Sequence, residues 1–463
     1  MNTLNLLMER DLPPNQLAFF PLNGSPVHFG DLQSRAVAAK EKLRNLGVEQ
    51  GESVLLADTI SGDFYAVVMA VLSLGATVIL VEPHLPLSEI EGIVSTRMPK
   101  VMVASLLGRA WGIRIKAIRK IPHWISAHAL CGSGKSGVLS VVSVKPEFPG
   151  IITFTSGTTG KAKGVVRTHA GLTAQNHSIR NAAGFDQFKK PDLAIFANLV
   201  LANLGMGRGT VFVPSQWKKE YLLKLDALPL ELQPETLSCG PAFLSRFLNL
   251  DRLPPLQSIH VGGALTDCSV LEEAFQRFPA STRFLHVYGS TEAEPVAFAD
   301  ARQAVEQSRH RGFIQTLLLG NPVPEISVND TEEGLWVSGP HVCPYYIGND
   351  SENHRTKKKD EQGRIWHFMG DRVDLEPEGL WYGGRSFQSK SDFLLEQRIY
   401  ASLQRTNCFV DRNTSGEITL YGERIHDLRS RLVREFPEIR HVKETNIVRD
   451  RRHRARIDRR ASR

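Results

Sequence analysis

Cysteine is scarce and scattered in this chain: five in 463 residues, at 131, 239, 268, 343 and 408, with no CxxC pair. A disulfide framework or a structural zinc site needs close or regularly spaced cysteines, so the pattern argues against both and fits a reducing, cytoplasmic compartment. A basic leader is missing as well. The opening MNTLNLLMERD reaches Glu9 before any basic residue, which leaves no secretory signal to read. Charge-free runs are rare. Phe64 to Val81 is such a run, eighteen residues long and at the threshold for a membrane span. Gly75 interrupts it and Glu82-Pro83 closes it, so it reads as a buried helix, a glycine turn and a buried strand, with no membrane span.

The composition that remains, 42% hydrophobic and 23% charged, is that of a globular protein, and the length calls for more than one domain. Net charge is +7, and eight Arg against two Asp from Arg449 onward supply nearly all of it. No nucleic-acid motif accompanies that tail, so charge alone does not make it a nucleic-acid binder.

Helix and strand alternate from about Pro21 to Pro86, which points to a doubly wound α/β sheet. Asp31 is expected to cap a helix ending at Gly47, and Ser53 to Leu56 to form a strand. The stretch Ala129 to Ser136 imitates a P-loop. Because Gly137 to Lys145 reads as a strand and not a helix, it is expected to be a turn between strands. Ala170 to Ala183 reads as a helix. Beyond Arg385 the pattern is a small α+β unit: a helix from Asp392 to Leu403, a hairpin from Cys408 to Gly422, and an amphipathic helix from Ile425 to Phe436.

The most informative stretch is IITFTSGTTGKAKGVVRTH, residues 151–169. Thr155, Ser156, Gly157, Thr158, Thr159 and Gly160 alternate hydroxyls with glycines, followed by Lys161 and Lys163. Glycines allow backbone N–H groups to converge on an anion, and hydroxyls and lysines complete a cradle for polyphosphate. Downstream come Gly262, Gly263 and Ala264 at a strand end, then Tyr288, Gly289, Ser290, Thr291 and Glu292. Trp366-His-Phe-Met-Gly370-Asp371 and Gly384-Arg385 follow. These segments, in this order, resemble the acyl-adenylate-forming (AMP-binding) superfamily, which includes acyl-CoA synthetases and the adenylation domains of peptide synthetases.

The resemblance implies a large N-terminal domain of doubly wound sheets with a small β-barrel subdomain (1–384) and a small mobile α+β lid (385–463). It implies ATP and Mg²⁺ as cofactors, and a small carboxylic acid activated as acyl-AMP. The 155–163 loop would hold the β- and γ-phosphates, and Gly262 to Ala264 with Tyr288 the adenine. Thr291 would bind the α-phosphate, Glu292 the Mg²⁺, and Asp371 and Arg385 the ribose. In the family a lysine near the C-terminus offsets the repulsion between carboxylate and phosphate; here Arg456 occupies that position. Met369 and Gln388 also depart from the usual pattern, and the loop 388–392 lacks a glycine that thioester-forming members use. Coenzyme A or an acyl carrier protein is the implied acceptor, unless the adenylate closes on its own hydroxyl. Glu292-Ala-Glu-Pro295 and the Arg-His tail resemble most the branch with the β-lactone synthetases of olefin biosynthesis. The apolar run Phe196 to Val213 (Leu199, Leu204, Met206) would line the acyl pocket, and its lack of an acidic residue disfavours an amino acid. A degenerate homologue that binds nucleotide or acyl ligand without turnover is the rival reading.

If Arg456 supplies the offsetting charge, Arg456→Ala should lower acid-dependent pyrophosphate exchange roughly 100-fold. Unchanged exchange would remove the residue from the mechanism.

Overall fold

The computed structural model describes residues 2–81, 87–156, 162–214, 217–449, 457, 459 and 462. Two large sheets form the bulk of the chain. In the seven-stranded sheet, Pro149–Ser156, Thr77–Leu80, Ser53–Ala57, Val101–Ala104 and His123–Ile125 run parallel in that spatial order. Their residues are almost wholly apolar because helices cover both faces, as parallel sheets require. Ala162–Thr168 pairs antiparallel with Pro149–Ser156, with Thr155 opposite Lys163 and Ser156 opposite Ala162.

The helix Gly62–Ser73 and strand Thr77–Leu80 account for the charge-free run, with Gly75 at φ 69° between them. Among the described residues no helix is long and apolar enough to cross a membrane.

In the eleven-stranded sheet, Asp192–Ala194, Thr236–Cys239, Ser258–Gly262 and Arg283–Ser290 are parallel neighbours. Ala293–Asp300 then returns antiparallel, and the sheet ends on Gly379–Arg385 and Asp371–Glu376. A four-stranded antiparallel sheet, built from Ser327–Thr331, Gly334–Ser338, Ile365–Phe368 and Lys357–Lys359, lies beside this end. The small C-terminal unit has its own three-stranded sheet, Cys408–Arg412, Ile418–Gly422 and Ile439–Glu444. Its core (Ile399, Leu420, Ile425, Leu432) also takes in Ile314 from the large part.

Three local expectations are corrected. The helix expected to begin at Asp31 is Phe29–Asn45, so Asp31 lies in its first turn and not at its cap, where its carboxylate still favours the helix N-terminus. Gly137 to Lys145 forms no strand, and its apolar residues Leu139 and Val144 are buried. The P-loop imitation therefore trails a helix, Ala127–Cys131, and opens none. The last helix is shorter than its apolar pattern, Arg429–Glu435 after a 3₁₀ turn at His426–Leu428. The helices His169–Ala183 and Lys390–Leu403 and the hairpin across Cys408–Gly422 match their sequence patterns.

The tail is fastened to the small unit by a buried ion pair. Arg459 Nη2 donates to Glu396 at 2.8 Å, and its Nη1 donates to the Val410 carbonyl at 3.0 Å. Ser462 completes the attachment, accepting from the Val448 N–H at 2.8 Å. Arg459→Ala strands a carboxylate that is 4% exposed, at a cost of about 3 kcal/mol. Amide exchange in Cys408–Arg412 and Ile418–Gly422 should accelerate roughly 100-fold, and unchanged protection would show that the tail does not brace the sheet.

Candidate active site

Strand Arg283–Ser290 ends in the turn that carries Thr291 and Glu292. The turn is tight because Gly289 has no side chain: a Cβ there would stand 2.8 Å from the Ala293 carbonyl oxygen and 3.1 Å from Glu294 Cα. Tyr288 points its hydroxyl across to Asp371, donating to Oδ2 at 2.8 Å. Arg385, directly opposite Asp371 on the neighbouring strand, brings Nη1 to 2.7 Å from Oδ1. Asp371 is thus held from both sides, by a hydroxyl donor on Oδ2 and a guanidinium against Oδ1. Burial foremost, and then the Asp371 charge, push the Tyr288 hydroxyl well above its ordinary pKa, so it stays a donor. Asp371 in turn raises Arg385, which stays charged.

Gly262 is the register partner of Val287, one residue before Tyr288, so the Gly262–Gly263–Ala264 segment runs beside the tyrosine. Gly263 takes φ 88°, a conformation that suits glycine and turns the chain off the strand. A Cβ at Gly262 would sit 2.9 Å from the Val287 carbonyl oxygen. The result is a bare backbone ledge next to an aromatic ring, which suits a flat heterocycle.

A second cluster surrounds Glu292. The Tyr346 hydroxyl donates to its Oε1 at 2.7 Å, and the Cys343 N–H donates to its carbonyl at 2.7 Å. Burial would raise the Glu292 carboxyl, but His367, the Tyr346 hydroxyl, Lys357 and Lys163 together bring it down to about 2. Burial lowers Lys357 to about 8 and His367 to about 3. Lys357 lies 5.2 Å and Lys163 5.3 Å from the centre of the Tyr346 ring. The ionised carboxylate suits Mg²⁺, which takes one or two protein carboxylates and fills its other positions with phosphate and water, and the lysines beside it suit those phosphates. Among the described residues no group of three or more metal-ligating side chains exists, so phosphate oxygens would have to complete such a site.

Arg167 ties the pieces together. Its Nη1 donates to Thr153 Oγ1 at 2.6 Å and its Nη2 to the Thr291 carbonyl at 2.9 Å, joining the strand that leads into the phosphate loop to the Thr291 turn.

The sequence motifs thus converge: Tyr288, Asp371 and Arg385 in one contact, Glu292 beside them, and Thr155 and Ser156 at the end of the bridged strand. Ser290 donates to the Met369 sulfur at 3.8 Å. Gly157, Thr158, Thr159, Gly160, Lys161 and Arg456 lie outside the described residues. Lys163, expected at the phosphates, instead forms a buried ion pair with Glu352, which also receives Arg355 Nη2 at 2.5 Å. The strand register turns Lys163 toward the Asp350–Thr356 helix, where Glu352 is its nearest countercharge. The inference drawn from the acyl run also needs correction. That run, whose helix is Ala197–Gly205, has no acid of its own, but Glu294 Oε2 comes within 3.4 Å of Asn198 Nδ2. Gln388 is buried at the start of the small unit. Sequence reading missed Tyr346, Glu352 and Lys357, which no motif or period marks, and gave no role to Arg167 and His367, although both lie within quoted motifs.

This geometry, a ledge for a flat base, a carboxylate for hydroxyls and a second one for a metal, defines a nucleotide-binding enzyme fold. The AMP-binding enzyme family model matches residues 12–347, and the chain belongs to that family. It is an AMP-forming ligase with the adenylate-forming, ATP-binding fold. Olefin beta-lactone synthetase of Stenotrophomonas maltophilia (strain K279a) is 23% identical over 402 residues, 78% of this chain and 73% of that protein. D-alanine–D-alanyl carrier protein ligase of Streptococcus pneumoniae (strain P1031) is 24% identical over 395 residues, 79% and 74% of the two chains. ATP-bound MatB from Rhodopseudomonas palustris superposes with a TM-score of 0.77 at 18% identity, covering 100% of this chain and 98% of that one. O-succinylbenzoate coenzyme A synthetase from Bacillus subtilis, in complex with ATP and magnesium, gives 0.77 at 17% identity over 97% and 98% of the two chains.

Tyr346→Phe removes a hydrogen bond that favours ionised Glu292. The carboxyl pKa then rises from about 2, and any stability it supplies is lost at a higher pH on acidification. The acid limb of the pH–activity profile should move to higher pH. An unmoved limb would mean that Glu292 does not control it.

Proposed function

We propose that this enzyme activates an aliphatic or β-hydroxy carboxylic acid with ATP and Mg²⁺, giving acyl-AMP and pyrophosphate. The observation that carries the reading is the contact of Tyr288, Asp371 and Arg385, with ionised Glu292 in the same turn as Thr291. A carboxylate oxygen attacks the α-phosphorus, a new P–O bond forms, and the α–β P–O bond breaks with its electrons leaving on pyrophosphate. Asp371 would take the ribose hydroxyls, with Tyr288 and Arg385 holding its carboxylate in place. Thr291 would bind the α-phosphate, and Glu292 would hold a Mg²⁺ that draws charge off the phosphates. Arg456 would offset the repulsion between the two anions. Domain division near residue 384, with the small unit as a lid, completes the proposal.

The apolar side chains of the 196–213 run support an acyl group. Leu199 and Met206 pack toward the cluster around Ile179, while Phe196 lies near Gly240, where a Cβ would be 3.5 Å from its ring. The acyl-AMP then passes to a thiol, of coenzyme A or a carrier protein, or closes on its own hydroxyl. A coenzyme A requirement for product release separates the two fates.

Pyrophosphate exchange with a panel of acids tests the first half-reaction. Asp371→Asn should lower kcat/KM for ATP about 100-fold, by leaving the ribose with a weaker acceptor. Binding of ATP without exchange for any acid, in the parent and in Arg456→Lys alike, would favour the non-catalytic homologue.

A further inference from the structure

Between Glu91 and Glu147 the chain has no carboxylate side chain but nine Lys or Arg. This stretch contains a helix built inside out. Leu106–Gly112 follows strand Val101–Ala104 and is capped by Ser105, whose hydroxyl accepts the Gly108 N–H at 3.3 Å. Its small residues face the sheet: a Cβ on Gly108 would be 2.5 Å from the Ala57 carbonyl oxygen, and one on Gly112 would be 2.9 Å from Met102 Cε. Its large apolar residues face outward. Leu106 is 83% exposed, Leu107 85% and the following Ile113 58%. At helical spacing these three, with Ala110 and Arg114, span an arc of roughly 120°.

Arg114, Lys116, Arg119 and Lys120 are exposed next to them. Neighbouring carboxylates are already engaged. Glu91 accepts the Ala117 N–H at 2.9 Å, Asp58 accepts the Ala127 N–H at 2.9 Å, and Glu52 lies 3.5 Å from Lys100. Apolar tips within a cationic surround are complementary to lipid tails beneath anionic headgroups. The same face of a second copy would meet this one with like charge.

We propose that this face docks the enzyme on an anionic lipid bilayer. The helix begins at the carboxyl end of its parallel strand, the same end of the sheet at which Pro149–Ser156 finishes, with two strands between them. A docked bilayer would therefore border the nucleotide end of the large domain. The inference holds whatever acid the enzyme activates.

The test is co-sedimentation of the full chain with vesicles of phosphatidylcholine, with and without phosphatidylglycerol. Binding is expected only to the anionic vesicles, and it should weaken as salt is added. Leu106→Glu/Leu107→Glu should reduce binding about tenfold or more with an unchanged melting curve, and Arg119→Glu/Lys120→Glu should also reduce it. Failure to bind would overturn the proposal. Binding indifferent to both double variants would overturn it too, by assigning attachment to another surface such as the tail after Arg449. A concentration-dependent dimer that Leu106→Glu/Leu107→Glu abolishes, without vesicle binding, would assign the face to a second copy.

Discussion

Asp371 is a carboxylate that the fold buries and then nearly satisfies. A buried charge is costly unless it is paired, and the Tyr288 hydroxyl with the Arg385 guanidinium supplies the pairing. To make that contact, segments 83 residues apart in the chain must meet. Strand Arg283–Ser290 lies on one side, and the adjacent pair Asp371–Glu376 and Gly379–Arg385 on the other.

The same logic holds Glu292, a second buried carboxylate. The Tyr346 hydroxyl, Lys357 and Lys163 crowd one carboxylate and hold it ionised despite burial. A triphosphate arriving with its metal brings more negative charge than one carboxylate neutralises, so a cationic fringe is what the ligand requires. Lys163 is paired with Glu352 in this arrangement. That pair holds the end of the strand leaving the phosphate loop, and the bridge from Arg167 to Thr291 holds the turn opposite.

Much of this was legible in the amino-acid order. Glycine, hydroxyl and carboxylate groups at fixed spacing mark the chemistry, because a backbone ledge at Gly262–Gly263 or a tight turn at Gly289 needs glycine and nothing else. The helix, turn and strand of residues 62–80 could be read from apolar patterning broken at Gly75. What stayed hidden acts only through tertiary contact. Tyr346, Lys357 and His367 sit on separate short strands and gather at Glu292 solely because those strands pack there. Glu294 reaches Asn198 across two elements, which no count of acids within the acyl run could reveal. Gly137 to Lys145 looked like a strand because it is β-branched and apolar, but it buries only Leu139 and Val144, leaves Val138 exposed and forms no strand.

A crystal structure of the complex with a non-hydrolysable ATP analogue and Mg²⁺ tests the central claim most directly. The account requires the base against Gly262–Ala264 beside Tyr288, the ribose hydroxyls on Asp371, and the metal on Glu292. A nucleotide bound anywhere that leaves the Asp371 carboxylate untouched would contradict it.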